Sequence, residues 1–124
     1  MESILIVDDE PEICLLLSKL LRKEGYEIET SNSLKDSIEV FEKKEFSIVL
    51  LDLHLPDGAG FSIIPKLKKI NRDVKIIIIS AYTGSSERKM AAQKGADDFV
   101  AKPLSRVSIL NAITKPGLSR KIAG

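Results

Sequence analysis

Ile4-Leu5-Ile6-Val7-Asp8-Asp9-Glu10-Pro11 is the stretch that decides how this chain folds. Four consecutive apolar residues, three of them β-branched, suit a strand covered on both faces, and the acidic pair and proline end it abruptly. Beyond Pro11, apolar residues return at Ile13, Leu16, Leu17, Leu20 and Leu21, spacings of three and four that predict one face of a helix. Pro11 is tolerated in the first turn, and Gly25 is the stop. A buried strand running straight into an amphipathic helix is the opening of a strand–helix–strand unit.

The unit repeats along the chain. Tyr26–Thr30 alternates apolar with polar, the pattern of an edge strand with one wet face. Ser33-Leu34-Lys35-Asp36 resembles a capping box with Asp in the place of Glu or Gln, opening a helix that carries Leu34, Ile38 and Phe41 inward and ends near Lys44. Phe46–Leu51 is a third strand. A loop with Pro56, Gly58 and Gly60 leads to a helix beginning near Ser62, which places Pro65 in its first turn and carries Ile64, Leu67 and Ile70. Val74–Ile79 is the most buried strand, Ser85 or Ser86 caps a helix that stops at Gly95, Asp98–Ala101 is a fifth strand, and Val107, Leu110 and Ile113 mark a last helix. The pattern predicts an α/β fold, a doubly wound five-stranded parallel sheet of order 2-1-3-4-5 with five helices. One domain covers residues 1–113. Over 114–124 the pattern lapses into Pro116-Gly117 and basic Lys115, Arg120 and Lys121, a basic C-terminal tail or the start of a linker.

Composition narrows the function classes. Lys plus Arg total 19 and Asp plus Glu 18, so a net charge of +1 offers no global attraction to nucleic acid or membrane. The single cysteine, Cys14, precludes an internal disulfide and suits a reducing compartment. Met-Glu-Ser-Ile has no basic leader, and no apolar run approaches the length of a membrane span. The expectation is a cytoplasmic protein that binds no membrane.

Asp8, Asp9, Asp52, Ser80 and Lys102 stand at or just past the ends of the apolar runs. In an open parallel sheet these ends share one edge, and ligands bind there beside the point where strand order reverses. Three carboxylates gathered at that point repel one another unless a cation intervenes. Oxygen donors without His or Cys favour magnesium. Asp9 has a second reading, as a helix cap over Glu10–Glu24. Ser80 and Lys102 are donors aimed where an acceptor-rich anion could sit, and an aspartate can attack phosphorus to give an acyl phosphate.

Ile-Leu-Ile-Val-Asp-Asp-Glu-Pro, Val-Leu-Leu-Asp-Leu-His-Leu-Pro-Asp-Gly, Ile-Ile-Ile-Ile-Ser-Ala-Tyr and Gly-Ala-Asp-Asp-Phe-Val-Ala-Lys-Pro resemble the four signature segments of the response-regulator receiver domain. The likeness runs from about Ser3 to Ile113 and implies the flavodoxin-like, CheY-like fold. It implies that Asp52 accepts a phosphoryl group from a sensor histidine kinase, a phosphotransfer protein or a small phosphodonor. Asp9 would bind Mg2+ directly and Asp8 through water, with Asp52 and the backbone carbonyl of His54 completing the protein ligands. Lys102 and Ser80 would stabilise the phosphoryl group, with Ser80 and Phe99 as the switch pair. His54 and Tyr82 resemble the positions that tune dephosphorylation, and the bond before Pro103 is expected to be cis. The implied output is a changed face of helix four, strand five and helix five, acting on an output domain or downstream protein, with a homodimer through that face open to it. Direct nucleic-acid binding by this domain is not expected. Nor is an enzyme, beyond catalysis of its own phosphoryl transfer and dephosphorylation.

Each residue also has a plain reading. On that reading His54 points to solvent, Phe99 is core, Cys14 is a small apolar helix residue, and Lys66, Lys68 and Lys69 form a solvated helix face. Three other functions compete. An aspartate-nucleophile phosphatase would need a second aspartate two residues after Asp52, where His54 stands. A flavodoxin-like cofactor binder would need donors at the end of strand one, where Asp8-Asp9 repels phosphate. A receiver-like adaptor that is never phosphorylated would not need the complete acidic set.

Overall fold

The structure is a computed structural model that describes residues 2–81 and 84–115. Tyr82 and residues 116–124 of the basic tail lie outside the described residues. Strands β1 (Ser3–Val7), β2 (Glu27–Ser31), β3 (Ile48–Asp52), β4 (Lys75–Ser80) and β5 (Asp98–Ala101) form a parallel sheet of order 2-1-3-4-5. Helices α1 (Pro11–Lys23), α2 (Leu34–Lys43), α3 (Ile64–Ile70), α4 (Ser85–Gln93) and α5 (Arg106–Thr114) alternate with the strands. The predicted fold class and strand order are therefore the observed ones. Between β3 and α3 lie a small antiparallel hairpin, His54–Leu55 against Gly58–Ala59, and a 3-10 turn, Gly60–Ile63.

The apolar runs are continuous because successive side chains serve two cores. Leu5, Val7, Val49, Leu51, Ile76 and Ile78 pack with Phe41, Ile64, Leu67 and Ala91 of α2, α3 and α4. Ile4, Ile6, Ile48, Leu50, Ile77 and Ile79 pack with Leu17, Leu21, Ile109 and Ala112 of α1 and α5. Each such Ile or Leu contributes about 1.5–3 kcal/mol relative to exposure. The outer strand β2 is guarded by charge: Glu27 and Glu29 lie 3.9 and 3.8 Å from Lys44 Nζ.

Several local expectations need correction. In α1 the inward stripe is Leu17 and Leu21, while Leu16 is 52% exposed. In α5 it is Ile109, Ala112 and Ile113, while Val107 is 68% exposed. Adjacent apolar residues define two overlapping stripes about 100° apart, and the seat of the helix on the sheet selects one. Ile70, the last residue of α3, is also exposed rather than inward. Gly84 occupies the N-cap of α4, and neither Ser85 nor Ser86 caps it. Ser105 and Ser108 instead form a reciprocal capping box on α5.

Lys68 is no solvated charge. Its Nζ donates to Asp97 Oδ2 at 2.9 Å and to the Val74 carbonyl at 2.7 Å, and the same Asp97 oxygen accepts from Ile76 N at 2.9 Å. Buried Lys75 donates to the carbonyls of Ala112, Ile113 and Lys115, satisfying the C-terminal end of α5. No helix among the described residues is long and apolar enough to cross a membrane.

Candidate functional site

Strand register assembles the site. Val7 is paired with Leu51, so Asp8 and Asp52 emerge side by side at the carboxyl edge of the two central strands. Both are buried, Asp8 at 1% and Asp52 at 6% exposure. Lys102 follows β5, and its backbone N–H donates to the Ser80 carbonyl at 2.8 Å. Its ammonium lies 3.0 Å from Asp8 Oδ2, 3.3 Å from Asp52 Oδ2 and 2.9 Å from Glu10 Oε1. Ser80 is wholly buried at the end of β4, beside the position paired with Asp52. The Lys102–Pro103 peptide is cis.

The electrostatics follow from crowding. Burial pushes the Asp8 carboxyl above the ordinary aspartate value; the Glu10 N–H, 2.9 Å from Oδ1, and Lys102 oppose the rise, and the Asp52 charge adds to it. For Lys102, burial alone would lower the pKa, but the close carboxylates of Glu10 and Asp8 and the charge of Asp52 outweigh it and hold the ammonium above the ordinary lysine value. Asp8 Oδ2 is buried without a hydrogen bond, because its approach to Lys102 is an ion pair without hydrogen-bond alignment. One ammonium thus faces three carboxylates, and a buried carboxylate oxygen is left under-satisfied.

These residues fit a hard divalent cation. One oxygen each from Asp8, Glu10 and Asp52 lies within 4.8 Å of the other two, and all three donors are carboxylates. Asp9 is exposed and lies outside this cluster. It lines a groove of about 480 Å³ with Cys14, Leu15 and Asn32. Nor does it cap α1, whose N-cap is Glu10 with no side-chain cap bond. Glu10 is the site residue the sequence did not single out. Only the turn into α1 brings it back beside Asp8, and no periodicity marks that turn.

The hairpin after Asp52 is tightly seated. Gly60 N donates to the Leu53 carbonyl at 2.7 Å, and a Cβ on Gly60 would stand 2.2 Å from the Asp52 carbonyl oxygen. His54 is exposed, and its N–H donates to Asp52 Oδ1 at 3.4 Å. Phe99 is half-buried, with the Arg88 guanidinium 4.6 Å from its ring centre. Cys14 Sγ donates to the Asp8 carbonyl at 3.3 Å.

Residues 4–114 match the family model of the response regulator receiver domain. The chain belongs to the response-regulator receiver family. This receiver is 32% identical over 103 residues to the probable transcriptional regulatory protein TcrX of Mycobacterium tuberculosis, covering 83% of the chain and 44% of that protein. It is 38% identical over 104 residues to the probable transcriptional regulator ycf27 of Pyropia yezoensis, covering 84% of the chain and 42% of that protein. The chain spans about half the length of the curated relatives it matches. Among solved structures, a Burkholderia pseudomallei response regulator with a phosphorylated aspartic acid, calcium ion and citrate superposes with a TM-score of 0.87 at 26% identity, over 93% of this chain and 68% of that one. The receiver is thus a component of two-component signalling, a switch domain rather than an enzyme of the usual kind.

Proposed function

We propose that Asp52 is the phosphoryl acceptor of this receiver and that phosphorylation there throws the switch. The observation that carries it is the buried Asp52 carboxylate, ion-paired to Lys102 and beside the under-satisfied Asp8 oxygen at the carboxyl edge of the sheet. Asp8, Asp9, Asp52 and the His54 backbone carbonyl would hold a magnesium ion, with Glu10, whose carboxylate lies within 4.8 Å of those of Asp8 and Asp52, as a further oxygen donor. Bound magnesium supplies positive charge to the transferring phosphoryl oxygens. Asp52 Oδ attacks phosphorus in line, the donor's oxygen or nitrogen leaves with its electron pair, and Lys102 compensates the charge gained. Ser80 donates its hydroxyl to the new phosphoryl oxygens, and Phe99 repacks in response. That biases the face of α4, β5 and α5 toward an output domain or partner, a population shift of a few kcal/mol. A sensor histidine kinase or phosphotransfer protein is the donor, and His54 and Tyr82 tune the return.

Intact mass after incubation with magnesium and acetyl phosphate tests this. The native chain gains one phosphoryl group and Asp52→Asn gains none. A native chain that stays unlabelled sinks the proposal, and equal labelling of both moves the nucleophile elsewhere.

A further inference from the structure

The first turn of α2 presents three backbone N–H groups, those of Leu34, Lys35 and Asp36, that the helix itself cannot satisfy. Ser33, the N-cap, takes one of them: its hydroxyl accepts from Asp36 N at 3.1 Å, while Ser37 N makes the helix's own first bond, to the Ser33 carbonyl at 3.0 Å. The other two, Leu34 N and Lys35 N, donate to the two carboxylate oxygens of Asp57 at 2.8 and 3.1 Å. Asp57 lies on the hairpin that follows Asp52, more than twenty positions along the chain from the amides it caps. These hydrogen bonds hold its carboxyl below the ordinary aspartate value.

The hairpin is therefore held at both ends. At its base, Gly60 is pressed against the Asp52 backbone and bonded to the Leu53 carbonyl. At its tip, Asp57 grips α2, and Gly58 at φ +143° sits 3.2 Å, measured from where a Cβ would stand, from Leu34 Cδ1. His54 lies between the two anchors and pairs with Ala59 across the hairpin.

We infer that Asp57 is a positioning residue for the metal site, a clamp through which the N-terminus of α2 fixes the hairpin carrying the His54 carbonyl. The inference rests on the proposed roles of Asp52 and His54. Asp57 touches neither metal nor phosphoryl group and acts through the hairpin alone. Because the clamp also joins the acceptor loop to α2, the hairpin and that helix end move as one body.

Two caps on the same helix separate positioning from helix stability. Both Asp57→Ala and Ser33→Ala remove a cap of α2, but only the first releases the hairpin. Magnesium titrations of the folded chain, followed by backbone amide NMR shifts, give the half-saturation point directly. Asp57→Ala raises it about 10-fold, the scale of losing a group that orients a metal ligand. Ser33→Ala leaves it at the native value, and Asp57→Asn, which keeps one acceptor oxygen, falls between. Amide exchange at Leu34 and Lys35 quickens in Asp57→Ala. An unchanged half-saturation point in Asp57→Ala, or an equal rise in Ser33→Ala, overturns the clamp. A native chain that binds magnesium but takes no phosphoryl group overturns the reading of Asp52 and leaves the clamp standing. A native chain with no saturable magnesium shifts overturns both.

Discussion

Lys102→Met loses about 3–5 kcal/mol of folding stability in chelator and regains much of it when magnesium is added. Lys102 is the cation that the structure places among Asp8, Glu10 and Asp52, and the first and last of its short contacts to buried carboxylates are 3.0 and 3.3 Å. Removing it strands Asp8 and Asp52 in a site where they are 1% and 6% exposed. A divalent cation replaces the missing charge, so the variant's loss is large without metal and small with it. Phosphoryl transfer behaves differently, because magnesium does not replace a donor aimed at the phosphoryl oxygens. Labelling by acetyl phosphate falls about 100-fold or more even at saturating magnesium. Urea unfolding with and without magnesium, beside intact-mass labelling rates, checks both halves. Equal destabilisation in the two buffers would mean that Lys102 acts by packing alone.

The sign of the pH dependence follows from the same contacts. Folding raises the Lys102 pKa, so its contribution is intact below the ordinary lysine value near about 10.4 and is lost only as pH climbs through the higher folded value. Asp57 runs the other way. Its carboxyl is lowered, so its contribution is present above the ordinary aspartate value of about 3.9 and disappears as pH falls through the folded one.

Gly60→Ala costs about 3 kcal/mol and slows labelling, although Gly60 does not have a positive φ. The added Cβ would stand 2.2 Å from the Asp52 carbonyl oxygen and 3.2 Å from both the Asp52 carbonyl carbon and the Leu53 Cα. All three are backbone atoms of the acceptor strand and its exit, so no side-chain rotation relieves the overlap. The strand end must move, and Asp52 moves with it. Gly25→Ala is the matched control. Gly25 has φ +98° but open space around its Cβ position, so the substitution strains the turn by about 1–2 kcal/mol and leaves labelling at the native rate. Unfolding midpoints and labelling rates of the two variants separate the effects. A Gly60→Ala chain that labels like the native protein would show that the hairpin base does not set the position of Asp52.

What was legible in the sequence is what short-range periodicity encodes. The runs Ile4–Val7, Ile48–Leu51 and Ile76–Ile79 had to be strands covered on both faces, because every residue in them is apolar and each face of a doubly wound sheet takes alternate side chains. Once those strands are parallel neighbours, Asp8, Asp52 and Lys102 must meet at one edge, as they do. The misplaced inward faces of α1 and α5 have a common cause. Leu16 and Leu17, or Val107 and Ile109, satisfy helical spacing equally well, and only the rotation of each helix on the sheet separates them.

Local pattern, chain connectivity and strand-end position were enough to give the layers, the strand order and the meeting of Asp8, Asp52 and Lys102 at one edge. Only in the folded chain does Glu10 join Asp8 and Asp52 in one carboxylate cluster, do Lys68 and Asp97 form a part-buried strut, and does Asp57 close the first turn of α2. Each of those depends on where a polar side chain meets backbone or charge from a distant segment. Such meetings leave no periodic trace, because a hydrogen bond is fixed by ångström-scale geometry that spacing along a chain does not encode.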